Sequence, residues 1–107
     1  MGVGHCNLYS NFIGFSNVSI GNNSLFNNNS GSYNLAVGHL ALSSNVAGSK
    51  NTVLGVEAAL DSTFGDENTY IGYDVARNAR TADGNVIIGS SNSPGLFNTN
   101  NNVGIGY

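Results

Sequence analysis

The sequence is poor in the residues that build disulfide scaffolds, ionic interfaces and membrane spans. Its 107 residues include one cysteine, one proline, no tryptophan and nine charged side chains. A single cysteine excludes an internal disulfide, and Cys6 is expected to be a small buried or half-buried filler, with a disulfide to a neighbouring chain as the alternative. No apolar run is long enough to cross a membrane, and no secretory signal is visible.

The few charges are also unevenly placed. The first 49 residues carry no formal charge apart from two histidines. Nucleic acids and anionic membrane surfaces require clusters of lysine and arginine, so neither is an expected partner. The sequence therefore predicts no nucleic-acid binding and no membrane insertion.

What the chain does have is asparagine, glycine and serine, with 19, 15 and 13 residues respectively. Such a composition is typical of disordered segments, but a strict 17-residue period argues against disorder and indicates stacked repeats. In each repeat an aliphatic residue directly precedes a glycine, and from the second repeat onward an asparagine stands four residues before that glycine. The asparagines are Asn17, Asn34, Asn51, Asn68, Asn85 and Asn102; the glycines are Gly4, Gly21, Gly38, Gly55, Gly72, Gly89 and Gly106; the aliphatic residues are Val3, Ile20, Val37, Leu54, Ile71, Ile88 and Ile105.

The segment from each asparagine to its glycine predicts a short strand, because it is brief and rich in β-formers. Alternate strand residues share a face. We expect the aliphatic column, together with the column two residues earlier, to face inward and form the core. The column between them, which includes Val53, Tyr70 and Ile87, should then face outward and contact another copy of the chain. On this register Ile71→Asp would bury an unpaired charge and cost several kcal/mol.

The rest of each repeat predicts a corner, a second wall and a polar loop. The repeated glycines fit corners that need a positive φ or a close backbone approach. Stacked asparagines should form a hydrogen-bonded ladder. Six steps of about 4.8 Å would give a rod on the order of 30 Å long. The expected second inward row is Leu8, Leu25, Leu42, Ala59, Ala76 and Ser93.

These features predict an all-β fold, a parallel β-solenoid of about six 17-residue coils. Residues 1–107 would form one repeat domain. Because neither end carries an atypical capping repeat, we expect the domain to be a segment of a longer fibre protein.

One stretch of the repeat resembles a known family. Residues 34–49 read Asn-Leu-Ala-Val-Gly-His-Leu-Ala-Leu-Ser-Ser-Asn-Val-Ala-Gly-Ser, and residues 51–55 read Asn-Thr-Val-Leu-Gly. This pattern is similar to the head repeat of trimeric (YadA-like) autotransporter adhesins, in the seventeen-residue variant of phage and large-virus tail and receptor-binding fibres. The resemblance implies a left-handed β-roll, a homotrimer, and a structural or adhesive role in a surface fibre that supports host attachment.

The same resemblance implies an extracellular location, on a virion or tail fibre or on a bacterial cell surface. The implied partners are two further copies of the chain, other domains of the same fibre, and a host-surface glycan or receptor. For glycan contact, we expect the loop residues 43–45 and 61–63 to be exposed.

Two other functions suit a β-solenoid. An ice-binding solenoid needs a flat outward array of threonines, whereas Thr52 and Thr69 form a pair only and face inward on the register above. A self-assembling, amyloid-like surface fibre would use the uncapped strand edges to template further chains.

No arrangement of residues predicts an enzyme, a cofactor or a metal site, so no catalytic residue is assigned. Glu57 and Asp74 share a column one coil apart, near the spacing of retaining glycosidases, but no cleft is predicted around them. His5 and His39 share another column without a matching acid to orient a metal-bound ring. The acidic edge at residues 61–67 is expected to be solvated rather than to hold a cation.

Overall fold

The predicted solenoid is confirmed by a computed structural model, which describes residues 1–91 and 100–106. Each coil contributes one short strand to a single seven-stranded sheet, in which neighbours in space are neighbours in sequence. All six pairings are parallel, and the described residues contain no helix. The strands are β1 (Gly2–Val3), β2 (Val18–Ile20), β3 (Leu35–Val37), β4 (Thr52–Leu54), β5 (Thr69–Ile71), β6 (Val86–Gly89) and β7 (Val103–Gly106).

The pairing register equals the sequence period. Val18 of β2 pairs with Leu35 of β3, and Leu35 in turn pairs with Thr52 of β4. Residues 17 apart therefore stack directly above one another. The molecule measures 32 × 20 × 16 Å, which fits six steps of about 4.8 Å along the stacking axis.

The predicted orientation of the strands is wrong. In each strand from β2 to β5, the middle residue is buried and the two flanking residues are only half-buried. The interior column is thus Ser19, Ala36, Val53, Tyr70 and Ile87, which we call the inner strand column. The residues predicted as core lie instead on the outer face of the sheet: Val3, Ile20, Val37, Leu54, Ile71, Ile88 and Ile105.

The physical reason lies in the length of the strand. Alternation fixes which side chains share a face but not which of the two faces points inward. A three-residue strand that ends at a sharp corner points only its central side chain into the narrow coil. The uniform aliphatic column therefore flanks the interior and covers the outside of the sheet.

The second inward row is confirmed where the structure describes it. Leu25, Leu42, Ala59 and Ala76 are fully buried, and Leu8 packs against them while partly exposed; Ser93 lies outside the described residues. We call these five residues the opposite wall. They belong to turns rather than to a second sheet.

The opposite wall is built from left-handed backbone. Leu25, Leu42 and Ala59 have φ values of 50°, 52° and 52°, a conformation that costs an L-residue roughly 1–2 kcal/mol. Hydrogen bonds between coils stabilise it: Leu25 N–H donates to Ala41 O at 3.1 Å, and Leu42 N–H donates to Ala58 O at 3.0 Å. Since each coil supports the turns of its neighbour, an isolated repeat would not hold this shape.

The predicted glycine corners are confirmed. Gly21 and Gly38 have φ values of 121° and 136°, a region that only glycine enters readily. A Cβ added to Gly21 would lie 2.6 Å from the carbonyl oxygen of Gly38. Both the conformation and the close stacking of corners therefore exclude a side chain.

Candidate interaction surfaces

The predicted asparagine ladder is confirmed and runs inside the corner that precedes each strand. Asn51 is representative: its backbone N–H and its side-chain amide both donate to Asn34 Oδ1, at 3.0 and 3.1 Å. Its Nδ2 also donates to Gly65 O at 2.8 Å. Asn34, Asn51, Asn68 and Asn85 are at most 2% exposed. The ladder is thus a buried structural element and offers nothing to a ligand.

A second asparagine ladder was not predicted. Asn28 Nδ2 donates to Asn11 Oδ1, and Asn45 Nδ2 donates to Asn28 Oδ1, both at 2.7 Å. The signal is present in the sequence as three asparagines 17 residues apart, but the column continues as Ser62 and Ala79. A motif confined to three coils is easily lost among 19 asparagines.

A third column of polar side chains caps the backbone of the preceding coil. Ser49 Oγ accepts from Ser32 N–H at 3.0 Å, and Asp66 Oδ1 accepts from Ser49 N–H at 2.7 Å. Asp83 Oδ1 likewise accepts from Asp66 N–H at 2.7 Å. The acidic edge thus has a structural use. Among the described residues, no group of three or more histidine, cysteine or acidic side chains could hold a metal ion.

The outer face of the sheet is an uncharged and largely apolar surface. It combines the aliphatic column with the column two residues earlier, and we call it the outer sheet face. None of its side chains is charged. Within the rod the members are half-buried, whereas Val3 and Ile105 near the ends are 52% and 74% exposed. The earlier column is Met1, Val18, Leu35, Thr52, Thr69, Val86 and Val103.

Two sequence predictions about exposure are therefore corrected. Thr52 and Thr69 flank the buried residues of their strands and lie on the outer sheet face. The proposed glycan-contact loops are largely hidden: Asn45 and Ser62 are fully buried, and Ser43 is 7% exposed, with its remaining exposed area at a shallow pocket. The loops turn inward because Asn45 belongs to the second ladder, and Ser62 follows it in the same column.

The other side of the coil carries an aromatic stack beside a shallow pocket. The rings of Tyr9 and Phe26 are parallel within 3°, with their centroids 5.0 Å apart. The pocket has a volume of about 210 Å³ and is lined by Asn23, Phe26, Leu40 and Ser43. Because Phe26 directly follows the inward Leu25, the pocket lies on the outside of the opposite wall, away from the sheet.

The structure brings Glu57 and Asp74 together, but around a cation. The Arg77 guanidinium contacts Glu57 Oε2 and Asp74 Oδ1, each at 2.5 Å. The hydrogen bond to Asp74 raises the pKa of Arg77 above its ordinary value, and the charge of Glu57 adds to this effect. Two carboxylates paired with one arginine form a structural ion network and leave no free acid and base at this place.

Two histidines and one cysteine remain as candidates. The side chains of His5 and His39 are exposed, and the backbone N–H of His5 donates to Asn22 Oδ1 at 3.0 Å. Cys6 is a free, half-buried thiol. Within residues 1–91 and 100–106, no helix is long and apolar enough to cross a bilayer.

Comparison with protein-family models, with curated proteins and with solved structures finds no match for this chain.

Proposed function

We propose that this chain is a structural and adhesive segment of a trimeric surface fibre that supports host attachment. The observation that supports this proposal is the outer sheet face: its two columns run along the described coils without a charged side chain, and all their members except Thr52 and Thr69 are apolar. Charged residues are depleted at the cores of protein interfaces, and a contiguous apolar surface marks an interaction site in a soluble protein.

The occupant best suited to this face is another copy of the chain. Its side chains repeat at the spacing of the coils, since parallel strands place residues 17 apart above one another. A second solenoid has the same spacing, so its ridges match at every coil when the two axes are parallel. A partner with a different repeat would lose register within a few coils.

The number of copies and the winding rest on the resemblance to trimeric adhesin heads and viral fibres. In that arrangement three left-handed coils pack round one axis, with their outer sheet faces in the centre. The outside of the opposite wall, with its shallow pocket, then faces outward, where a host glycan or receptor can reach it. The same resemblance supports an extracellular location.

An ice-binding solenoid is the second candidate, and one observation favours it. Thr52 and Thr69 are adjacent on the outer sheet face. Their neighbours on that face, Leu54 and Ile71, are aliphatic, so the threonine array is only one column wide and two coils long. Inhibition of ice recrystallisation by the wild-type chain would favour this candidate over the fibre.

The mass of the assembled particle tests the fibre proposal. Light scattering coupled to gel filtration should give three times the 11.0 kDa of one chain. Ile71→Asp places a charge in the middle of the outer sheet face and should yield single chains that keep the β-rich circular dichroism. The matched control is Val56→Asp, which alters a 42% exposed residue beyond the corner and should leave the trimer intact.

A single-chain mass for the wild type would contradict the proposal. Large sedimenting fibrils would indicate open-ended assembly through strand edges instead. Dissociation by Val56→Asp but not by Ile71→Asp would place the interface on a different side of the coil.

A further inference from the structure

We infer that the pocket between the coils of residues 17–33 and 34–50, lined by Asn23, Phe26, Leu40 and Ser43, binds one ring of a neutral saccharide. The inference deepens the proposed function and rests on it in one respect: in a trimer packed through the outer sheet face, this pocket faces outward. The site itself is contained within one chain.

The pocket exists because an aromatic stack ends there. Tyr9, Phe26 and Ser43 occupy one column in three successive coils. Tyr9 covers one face of the Phe26 ring at a centroid distance of 5.0 Å, which is close to the spacing between coils. The next position in the column holds only the small Ser43 side chain. The other face of the Phe26 ring is therefore left open toward the pocket, and Tyr9 fixes its orientation.

The polar groups at the pocket are not used by the fold. The backbone of Asn23 donates to His5 O at 2.9 Å, and the backbone of Ser43 donates to Leu40 O at 3.3 Å. By contrast, neither the Asn23 amide nor the Ser43 hydroxyl makes a hydrogen bond to another described residue. An amide offers donors and an acceptor, and a hydroxyl offers both functions in one atom.

This combination matches a sugar ring. A pyranose has an apolar face of C–H groups that can lie on an aromatic ring, and hydroxyls round its edge that need donors and acceptors. Leu40 supplies a further apolar contact on the other side of the pocket. A mainly apolar cavity with a few fixed polar groups is the usual form of a small-molecule site.

The charge around the pocket favours a neutral sugar: none of the lining residues is charged, and Glu57, which stands one coil beyond Leu40 in its column, is acidic and paired with Arg77. Residues 1–49 carry no formal charge apart from the two histidines, so a sialic acid, a uronic acid or a phosphate would lose water without gaining an ionic partner. Further along the column of Phe26 stand Leu60 and Arg77, the latter held by two carboxylates. The stacked rings of this column, Tyr9 and Phe26, therefore lie only in the first coils.

The test begins with the wild-type protein on an array of neutral and acidic oligosaccharides, followed by calorimetric titration with the best neutral ligand. Phe26→Ser is the principal variant, because Ser43 shows that a coil accepts serine in this column. Asn23→Asp is the second, because Asp74 occupies the same column with a similar backbone φ, 51° against 58°. Leu60→Ser is the matched control, in the same column but outside the pocket.

We expect the affinity for the neutral oligosaccharide to fall at least about tenfold in both Phe26→Ser and Asn23→Asp, and to be unchanged in Leu60→Ser. No binding of any neutral sugar at millimolar concentration would overturn the inference. Equal binding by Phe26→Ser, or selective binding of acidic sugars or of aromatic peptides, would also overturn it.

The mass of each sample, measured in parallel, separates this inference from the fibre proposal. Trimers that bind no neutral sugar refute the site and leave the fibre as a spacer. Single chains that bind it through Phe26 refute the trimer and leave the site. Single chains without binding refute both.

Discussion

Two pairs of coils share one backbone and fill it in opposite ways. The N-terminal pair (residues 17–50) has small inner strand residues, and the C-terminal pair (residues 51–84) has large ones. The side chains of the opposite wall and of the second asparagine ladder column change the other way, from large in the N-terminal pair to small in the C-terminal pair. In the N-terminal pair the three positions hold Ser19, Leu25 and Asn28, then Ala36, Leu42 and Asn45; in the C-terminal pair they hold Val53, Ala59 and Ser62, then Tyr70, Ala76 and Ala79, all fully buried.

The difference shows that every coil keeps about the same interior volume, whereas the side of the coil that carries the large side chains changes. Interiors are close-packed, so a larger side chain on one wall requires a smaller one opposite. Tyr70 fits because Ala76 and Ala79 make room for it.

The two pairs also satisfy their polar groups differently. The N-terminal pair uses the second asparagine ladder, and the C-terminal pair relies on apolar packing and carries eight of the nine charges. Where the ladder ends, three buried atoms have no hydrogen-bond partner among the described residues: Asn45 Oδ1, Ser62 Oγ and Tyr70 Oη. Stabilisation therefore shifts from hydrogen bonds to packing along the rod.

The corners are common to both pairs, and breaking them should have the largest effect. Gly21→Ala and Gly72→Ala each place a Cβ at φ values of 121° and 135°, against the carbonyl oxygen of the next corner. We expect each to cost more than about 4 kcal/mol or to prevent folding, as measured by urea denaturation. If Gly72→Ala folds normally and Gly21→Ala does not, the corners of the C-terminal pair can deform and those of the N-terminal pair cannot.

Exchanging the core pattern tests the compensation directly. Ala36→Tyr puts a large ring opposite Leu42 and should destabilise the N-terminal pair by roughly 3 kcal/mol through overpacking. Adding Leu42→Ala makes the room that Ala76 makes for Tyr70 and keeps the hydrogen bonds of Asn45, so it should recover most of the loss in the free energy of unfolding. A double variant no more stable than Ala36→Tyr would contradict the constant interior volume of the coils.

The second ladder should matter only where it is continuous. Asn28 donates to Asn11 Oδ1 and Gly31 O and accepts from Asn45, so Asn28→Ala leaves several buried groups unpaired and should cost roughly 2–3 kcal/mol. Ser62→Ala removes a hydroxyl that has no partner and should change stability by less than about 0.5 kcal/mol. Chemical denaturation of both variants measures the contrast, and equal losses would contradict it.

High pH should weaken the C-terminal pair through Tyr70. Burial raises the pKa of Tyr70 to about 12 from the ordinary 10.0; the side-chain amide of Asn85 opposes this rise to a smaller extent, and the charge of Asp83 adds to it. Above pH 10 the unfolded chain loses this proton and the folded chain keeps it, so stability is complete below pH 10 and falls between pH 10 and 12. The loss is on the order of 2 kcal/mol.

Tyr70→Phe provides the control for this titration. It removes the ionisable hydroxyl and keeps the ring, so the extra loss of stability between pH 10 and 12 should disappear. A slope equal to that of the wild type would assign the alkaline effect to the exposed tyrosines instead.

The smallest expected effect concerns the ion network of the C-terminal pair. Arg77→Gln should cost no more than about 1 kcal/mol, because the arginine and its two partners are partly exposed and screened by water. The difference from wild type should shrink in 1 M NaCl. A loss that persists at high salt would mean that the stem of Arg77 contributes by packing.

The sequence predicted the parts of the fold that depend on the period. Residues 17 apart had to stack, so the parallel strands, the corner glycines such as Gly38 and the ladder through Asn51 follow from spacing alone. The orientation of the strands did not follow, because alternation is symmetric between the two faces. The side chains of the inner strand column vary in size from Ala36 to Tyr70, and such variation is typical of a surface. Because the compensating residues lie six positions further along each coil, the sequence alone did not link them to this column.

The candidate sites were less predictable for a related reason. The column of Tyr9, Phe26 and Ser43 can be read from the sequence, but the open face of the Phe26 ring appears only once the rings are seen to stack. The burial of Asn45 and Ser62 depends on loops that turn inward, and no local pattern distinguishes such loops from exposed ones.

Distances between spin labels test most directly whether copies of the chain meet through the outer sheet face. In a Cys6→Ser background, a nitroxide at Leu54→Cys lies on that face, and one at Leu60→Cys lies on the other side of the coil. We expect dipolar coupling between chains, with a longer distance between the Leu60 labels than between the Leu54 labels. No coupling, or a shorter distance at Leu60, would contradict it.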